Sequence, residues 1–321
     1  MIEVSSNLTQ EKLPMSTDTT VSPLRQRMIE DMRARKLGPH SQRSHIHSCR
    51  RFAAFLKRSP DTATPDDVRR FQLHLVETGL SLSNRNRIMT GVKFLFRVTL
   101  RRHDLVAEIY HLPEPQRLPL TMSPTEAERL LGMTGCLRDQ VMLSLGYGCG
   151  LRAGEIVRLK DGNIDSAQMI IRIVQSKGRK DRHVMLPADL LVSLRQWWKV
   201  RPTRFDAGVP IGERWLFPGR RQGQHLTYRQ LSRLFHESKA AAGITKRVSL
   251  HSLRHSFATE LLEKGTNLRY IQALLGHSKP ETTARYTRVA TGRIAAIDSP
   301  LKQLGSKHRR LRKKRRSPKA T

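Results

Sequence analysis

The stretch HSLRHSFATE LLEKGTNLRY IQALLGHSKP ETTARY, residues 251–286, governs how the rest of the chain is read. A helix that begins near His251 places His251 and Arg254, three residues apart, on one face. Leu268, Ile271, Leu274 and Leu275 then recur at helical spacing, and Gly276 supplies the residue that ends such a helix. His277 follows at once. Ser278-Lys279-Pro280-Glu281 carries the cap, proline and acid of a further helix start, which predicts a capping box and a short helix projecting Tyr286. Tyr270 lies on the amphipathic helix before Leu274 and is expected to pack or face solvent. Tyr228 has no adjacent motif.

Upstream of this stretch, Gly150-Leu151-Arg152-Ala153-Gly154-Glu155 carries an arginine and an acid three residues apart. The β-branched run from Met169 to Val174, the turn Ser176-Lys177-Gly178-Arg179-Lys180-Asp181 and a second strand from His183 predict a basic hairpin. Helices are expected at about residues 138–148, 188–199 and 227–242, and Ser123-Pro124-Thr125-Glu126 marks another helix start. Residues 23–110 read as a separate bundle of helices. Its third helix is opened by Thr64 as cap, Pro65, Asp66 and Asp67; its fourth carries Ile88, Val92, Leu95 and Phe96. Pro113, Pro115 and Pro119 interrupt the helical pattern and predict a linker over residues 111–120. The expected organisation is a flexible segment 1–22, a helical domain 23–110, the linker, a second domain 121–300 and a disordered basic tail 301–321; the resemblance given below implies a core DNA-binding domain for the first and a catalytic domain for the second. The fold class is mostly α with a small β-sheet or hairpin.

Charge narrows the partner. The chain has 59 Lys and Arg against 27 acids, a formal net charge of +32. Part of it sits in residues 307–319, yet the body stays basic without them. A polyanion is therefore expected, and nucleic acid is the simplest one. Arg85, Arg87, Lys93, Arg97, Arg101 and Arg102 form a face that either grips DNA or is simply solvated. The amino-terminal residues lack a signal-peptide core and no run is long enough to span a bilayer, so a cytoplasmic protein without membrane contact is expected. Cys49, Cys136 and Cys149 are scattered and suggest neither a disulfide framework nor a metal site. Trp197, Trp198 and Trp215 read as packing residues sooner than as base-stacking ones.

Taken in order, Gly150 to Glu155, the Ser176-Lys177-Gly178 turn, His251-Ser252-Leu253-Arg254-His255, Leu275-Gly276-His277 and Thr283-Ala284-Arg285-Tyr286 resemble the catalytic domain of the tyrosine recombinases, the phage-integrase family with its Xer-like two-domain members. The resemblance covers about residues 121–290, and more loosely the helical bundle. It implies a site-specific DNA recombinase or integrase that cleaves and rejoins strands through a 3′-phosphotyrosyl intermediate. It implies Tyr286 as nucleophile, Arg152 and Arg254 as phosphate ligands and His277 as a third donor. His251 would be general base or phosphate hydrogen-bond donor, and Lys177 the acid for the leaving 5′-oxygen. Lys180, three residues on, is an alternative acid. Glu155 would support the active-site charges, and His255 reads as structural.

Two guanidiniums suit the charge that builds on phosphorus in the transition state, so neither metal nor other cofactor is called for. The implied partners are double-stranded DNA, a homotetramer on it, and possible accessory proteins or a second recombinase. The basic tail either contacts phosphates or stays solvated; Ile294-Ala295-Ala296-Ile297 either docks on a neighbouring protomer or packs on its own domain. A non-catalytic DNA-binding regulator and a type IB topoisomerase are the competing readings. The target sequence, and the choice among integration, excision, transposition and dimer resolution, lie beyond what these motifs encode.

Overall fold

The computed structural model describes residues 21–115, 118–174, 181–277 and 279–288. The chain forms two compact units, Met1–Gln116 and Arg117–Thr321. No described helix is long and apolar enough to cross a membrane.

The first unit is helical: α1 (Pro23–Ala34), α2 (Pro39–Leu56), α3 (Pro65–Glu77), α4 (Leu82–Phe94) and α5 (His103–Ala107). The starts follow local chemistry. Ser22 caps α1 ahead of Pro23, and Thr64 and Asp67 form a reciprocal capping box on α3. Phe52, Phe71 and Phe96 meet edge-on at the centre, with ring centroids 4.9 and 5.8 Å apart, among Val68, Leu75, Ile88 and Val92. One difference from the sequence expectation lies in the fourth helix. Leu95–Leu100 continue α4 as π-helix instead of α-helix, and the adjacent Leu95 and Phe96 are both buried. Leu95 packs on Met28 and Met32 of α1, while Phe96 joins the aromatic core, so the widened turns serve two cores.

The second unit comprises α6 (Pro124–Gly132), α7 (Leu137–Gly148), α8 (Ala153–Ile156), β1 (Ile164–Asp165), β2 (Ile170–Ile173), β3 (Arg182–Met185), α9 (Ala188–Val200), α10 (Tyr228–Ala241), α11 (Leu250–Glu263), α12 (Leu268–Leu275) and α13 (Pro280–Ala284). Ser123 and Glu126 form the capping box of α6. Helix α7 is the hub. Val141, Met142, Leu143 and Leu145 are fully buried, and α6, α9 and α11 pack against it. Trp197 is buried, with its indole N–H donating to Leu216 O at 2.8 Å. The strands form one antiparallel sheet in the order β1-β2-β3, with Ile171 opposite Val184 and Ile173 opposite Arg182. The hairpin is thus present, while β1 is an addition: two residues are too few to show period-two alternation.

Two expectations near the carboxyl end need correction. Helix α13 starts at Pro280 with Lys279 in the cap position and no side-chain cap bond; Ser278, the expected cap, lies outside the described residues. Tyr286 sits in a 3-10 turn, Arg285–Arg288, after α13 instead of projecting from it, and it is buried. The tail, residues 294–297 and the turn 175–180 also lie outside the described residues.

Helices α2 and α4 approach closely at Gly91. A Cβ there would lie 2.5 Å from Ser48 Cβ and 3.1 Å from His45 Cα, neither of which can swing aside. Gly91→Ala should therefore lose about 1–3 kcal/mol to overpacking, more than the helix-propensity gain of about 1 kcal/mol. A lower denaturant midpoint is the expected measurement.

Candidate active site

The site is built on the carboxyl end of α12. Gly276 takes the left-handed conformation, φ 59°, and caps the helix. The last carbonyls of a helix lack intrahelical partners and carry the negative end of its dipole. Here three arginines from distant parts of the sequence meet them. Arg182 Nε donates to Leu274 O at 2.8 Å. Arg152 Nη2 donates to Leu275 O at 3.2 Å and Gly276 O at 3.4 Å. Arg254 Nη2 also donates to Leu275 O. A Cβ on Gly276 would sit 2.9 Å from Arg182 Cδ, so glycine suits both the backbone angle and the close approach.

Arg152 occupies the cap position of α8, three residues before Glu155. The Arg152 backbone N–H donates to Glu155 Oε2 and its Nη1 to Oε1, both at 2.8 Å. Arg182 Nη1 and Nη2 donate to the same carboxylate at 2.9 and 2.7 Å. Burial works against ionisation of Glu155, but the Arg182 bonds and charge, then Arg152, outweigh it and hold the carboxyl down at about 2. Arg182 is a residue that the sequence reading missed. The available signal was its position in β3, where it shares a strand face with the buried Val184. An arginine on that face needs an anionic partner, and Glu155 is that partner.

Arg254 is 1% exposed on α11. Its Nη1 donates to Gly150 O at 2.7 Å and its Nη2 approaches His277 Nε2 at 3.2 Å, while its buried Nε has no hydrogen-bond partner among the described residues. Burial, then Arg152 beside it, brings the guanidinium down to about 9, which leaves it cationic at neutral pH. A guanidinium only donates, so His277 Nε2 accepts and its proton sits on Nδ1, 2.9 Å from Thr283 Oγ1. Burial and then Arg254 and Arg152 hold His277 down at about 3, so it is neutral. The expected donor role for His277 therefore requires the proton to move to Nε2 once a phosphate takes over Arg254.

Tyr286 is 2% exposed and packs among Phe257, Ala258, Ile271 and Leu275, with its ring stacked on His277 at 6.3 Å between centroids. Burial raises its phenol, and Arg254 and Arg152 pull the other way. Its hydroxyl lies 3.1 Å from His255 Nδ1. His255, read from sequence as structural, is thus the histidine at the tyrosine oxygen. His251 lies one turn earlier on α11, exposed to solvent, with its ring edge-on to His255 at 4.5 Å. Crowding by the protein, then Arg254 and Arg152, keep His251 below its usual range. Arg152, His251, Arg254, His277 and Tyr286 are thereby brought together; Lys177 and its alternative Lys180 lie outside the described residues. Tyr270 is 70% exposed on the surface. Trp198 stacks against Arg201, 3.8 Å from the guanidinium carbon to the ring centre. Among the described residues no group of three His, Cys, Asp or Glu is placed to hold a metal ion.

The arrangement can bind a multiply negative oxyanion beside a phenolic oxygen. Comparison with known proteins identifies the family. Residues 121–293 match the model of the Phage integrase family, and residues 24–103 match "Phage integrase, N-terminal SAM-like domain". The chain is 38% identical over 289 residues to "Putative integrase/recombinase y4qK" of Sinorhizobium fredii, covering 89% of this chain and 91% of the relative. It is 32% identical over 250 residues to the tyrosine recombinase XerD of Yersinia pestis, covering 73% and 81%. Its fold matches the crystal structure of XerH site-specific recombinase bound to palindromic difH substrate, at a TM-score of 0.64 and 23% identity over 84% of this chain and 82% of that one.

The Glu155 cluster should be visible in stability against pH. Its folded value lies below the ordinary 4.5, so the native state binds fewer protons than the unfolded chain. Its contribution is full above about pH 4.5 and is lost as pH falls toward 2, on the order of 3 kcal/mol in all. Glu155→Gln should flatten that acid limb in urea-unfolding curves taken between those pH values.

Proposed function

The chain belongs to the phage integrase family, and from that premise we propose how its own residues carry out site-specific DNA recombination. A scissile phosphate enters beside the carboxyl end of α12. Arg152 and Arg254 exchange carbonyl partners for the non-bridging oxygens, and His277 becomes a third donor. These cations act where charge develops in the pentavalent transition state, and in a partly dry site each is worth more than in water. Tyr286 Oη attacks phosphorus, the bond to the 5′-oxygen breaks, and a 3′-phosphotyrosyl link is left. That link conserves the phosphodiester, so a 5′-hydroxyl of a partner strand can reverse the step without an external energy source. The leaving 5′-oxygen takes a proton from Lys177, with Lys180 as the alternative donor. Glu155 and Arg182 orient Arg152.

The observation that carries this reading is the juxtaposition of the Arg152, Arg182 and Arg254 guanidiniums with a buried tyrosine ring on one helix end. Each chain offers one such tyrosine, and exchange between two duplexes cuts four strands; a homotetramer on DNA follows. The sites recognised are double-stranded, and a second recombinase or accessory protein would act through the same assembly. The charge of +32 supports a cytoplasmic protein held on DNA by phosphate contacts. In the first unit, a cleft between α1 and α2 is lined by Arg25, Arg33, Arg43, His47 and Arg50, which adds a second basic surface to that of Arg87, Arg97 and Arg101.

A nicked duplex that loses its short 5′-hydroxyl fragment should trap the covalent adduct. The duplex can be recovered from a random-sequence library by adduct formation with the full chain. Tyr286→Phe should form none; an adduct with the Phe variant would remove Tyr286 as nucleophile. Arg254→Ala should cleave about 10²–10³-fold more slowly, the usual cost of losing one transition-state donor. Lys177→Ala should cleave slowly on ordinary DNA but recover on a 5′-bridging phosphorothiolate, whose sulfur leaves without a proton. Recovery with Lys180→Ala instead would assign the acid to Lys180.

A further inference from the structure

The hydroxyl of Tyr286 has a specific neighbour that the family reading leaves unused. His255 stands on α11, one residue after Arg254, with its Nδ1 3.1 Å from Tyr286 Oη and its ring 5.7 Å from the phenol ring. Phe257, Ala258, Ile271 and Leu275 enclose the tyrosine, so water has little access to this oxygen. Among the described residues no other side chain hydrogen-bonds to it. His251, by contrast, meets His255 edge-on at 4.5 Å and hydrogen-bonds to no described residue, the tyrosine included. A nucleophilic phenol must lose its proton as its bond to phosphorus forms. A nitrogen at this distance in a dry pocket is the group placed to take it.

We infer that His255 is a catalytic residue: its Nδ1 accepts the Tyr286 proton during attack and returns it when the phosphotyrosyl bond is broken. Bookkeeping of atoms is simple. The Tyr286 O–H bond breaks as the O–P bond forms; the proton goes to His255 Nδ1, and the 5′-oxygen takes a different proton from the lysine acid. On rejoining, the incoming 5′-hydroxyl gives its proton back to the neutral lysine as it expels the phenolate oxygen, and the His255 imidazolium protonates that oxygen. The tautomer required carries the resting proton on Nε2, which leaves Nδ1 free to accept.

His255 is neutral in the resting site, held down at about 4 by burial, then by His251 and Arg254. It is thus a weak base for a free phenol. The transfer becomes favourable only as the phenolic oxygen is esterified, while the doubly charged phosphorane offsets the repulsion by Arg254. Proton transfer is therefore concerted with attack, and tyrosinate does not accumulate beforehand. His251 is left to face the phosphate as a donor.

The inference rests on the recombinase reading, and the test separates the two. On the library-derived nicked duplex, single-turnover adduct formation is measured for the full chain, for His255→Asn and for His255→Ala, each checked for folding by thermal melting. Asn keeps a hydrogen-bond acceptor near the Nδ1 position but cannot hold the proton. It should cleave ~100-fold or more slowly, within the usual range for a lost general base, and Ala should be similarly slow and accelerate on addition of imidazole. An Asn variant within ~3-fold of wild type would show that the contact only positions the tyrosine and would overturn the inference. A folded Ala variant that gains nothing from imidazole would overturn it too. If wild type itself forms no adduct, the recombinase reading fails as well.

Discussion

Three guanidiniums held against the carboxyl end of one eight-residue helix, α12, are the constraint on which the second unit depends. Each arrives on a different element: Arg152 ahead of α8, Arg182 on β3, Arg254 on α11. Like charges this close repel, and burial of Arg254 adds a desolvation cost of several kcal/mol for an isolated ion. The carbonyls of Gly150, Leu274, Leu275 and Gly276 and the carboxylate of Glu155 offset these terms. An apolar cluster of the same volume would often be as stable or more so. The cations make sense as a site prepared for an anion, with the arginines already gathered on one helix end and only their carbonyl partners left to exchange.

The same cations set the proton inventory. Desolvation by the surrounding protein is the leading cause and Arg254 adds to it at all three, so His251, His255 and His277 are pushed toward the neutral form, with Arg152 contributing at His251 and His277. Neutral imidazoles can accept as well as donate, which a row of imidazolium ions could not. In the proposed reaction a phosphate bound there offsets the positive potential of the arginines and favours protonation of the histidines. Binding and proton transfer are coupled through charge alone, as expected where strongly perturbed groups cluster in one cleft. The tyrosine is stored under apolar cover next to this row, so its hydroxyl meets a chosen nitrogen instead of bulk water.

Much of the local structure was legible beforehand because it is decided within a few residues. The cap at Thr64, the capping box at Ser123, the helix end at Gly276 and the hairpin strands each rest on short-range geometry. Where a feature had no local signature, the reading slipped. The π-turns at Leu95–Leu100 answer to two cores at once, β1 is too short to alternate, and the helix before Tyr286 ends early because the tyrosine is drawn into the pocket of Phe257 and Leu275.

By itself the sequence determined the class of chemistry. Arg152, His251, Arg254, His277 and Tyr286 occur in a fixed order on a strongly basic chain, and the resemblance of the motifs that carry them to those of the tyrosine recombinases implies a phosphate-directed tyrosine. Only the tertiary structure decided which groups meet. Arg182 lies outside the recognised motifs, and His255 lies within one without a contact being legible there; their contacts arise because β3 is brought to Glu155 and the turn after α13 is brought to α11, across separations of 27 and 31 residues. Partners that far apart in the chain are chosen by packing of the core, and no local rule of sequence reports that choice.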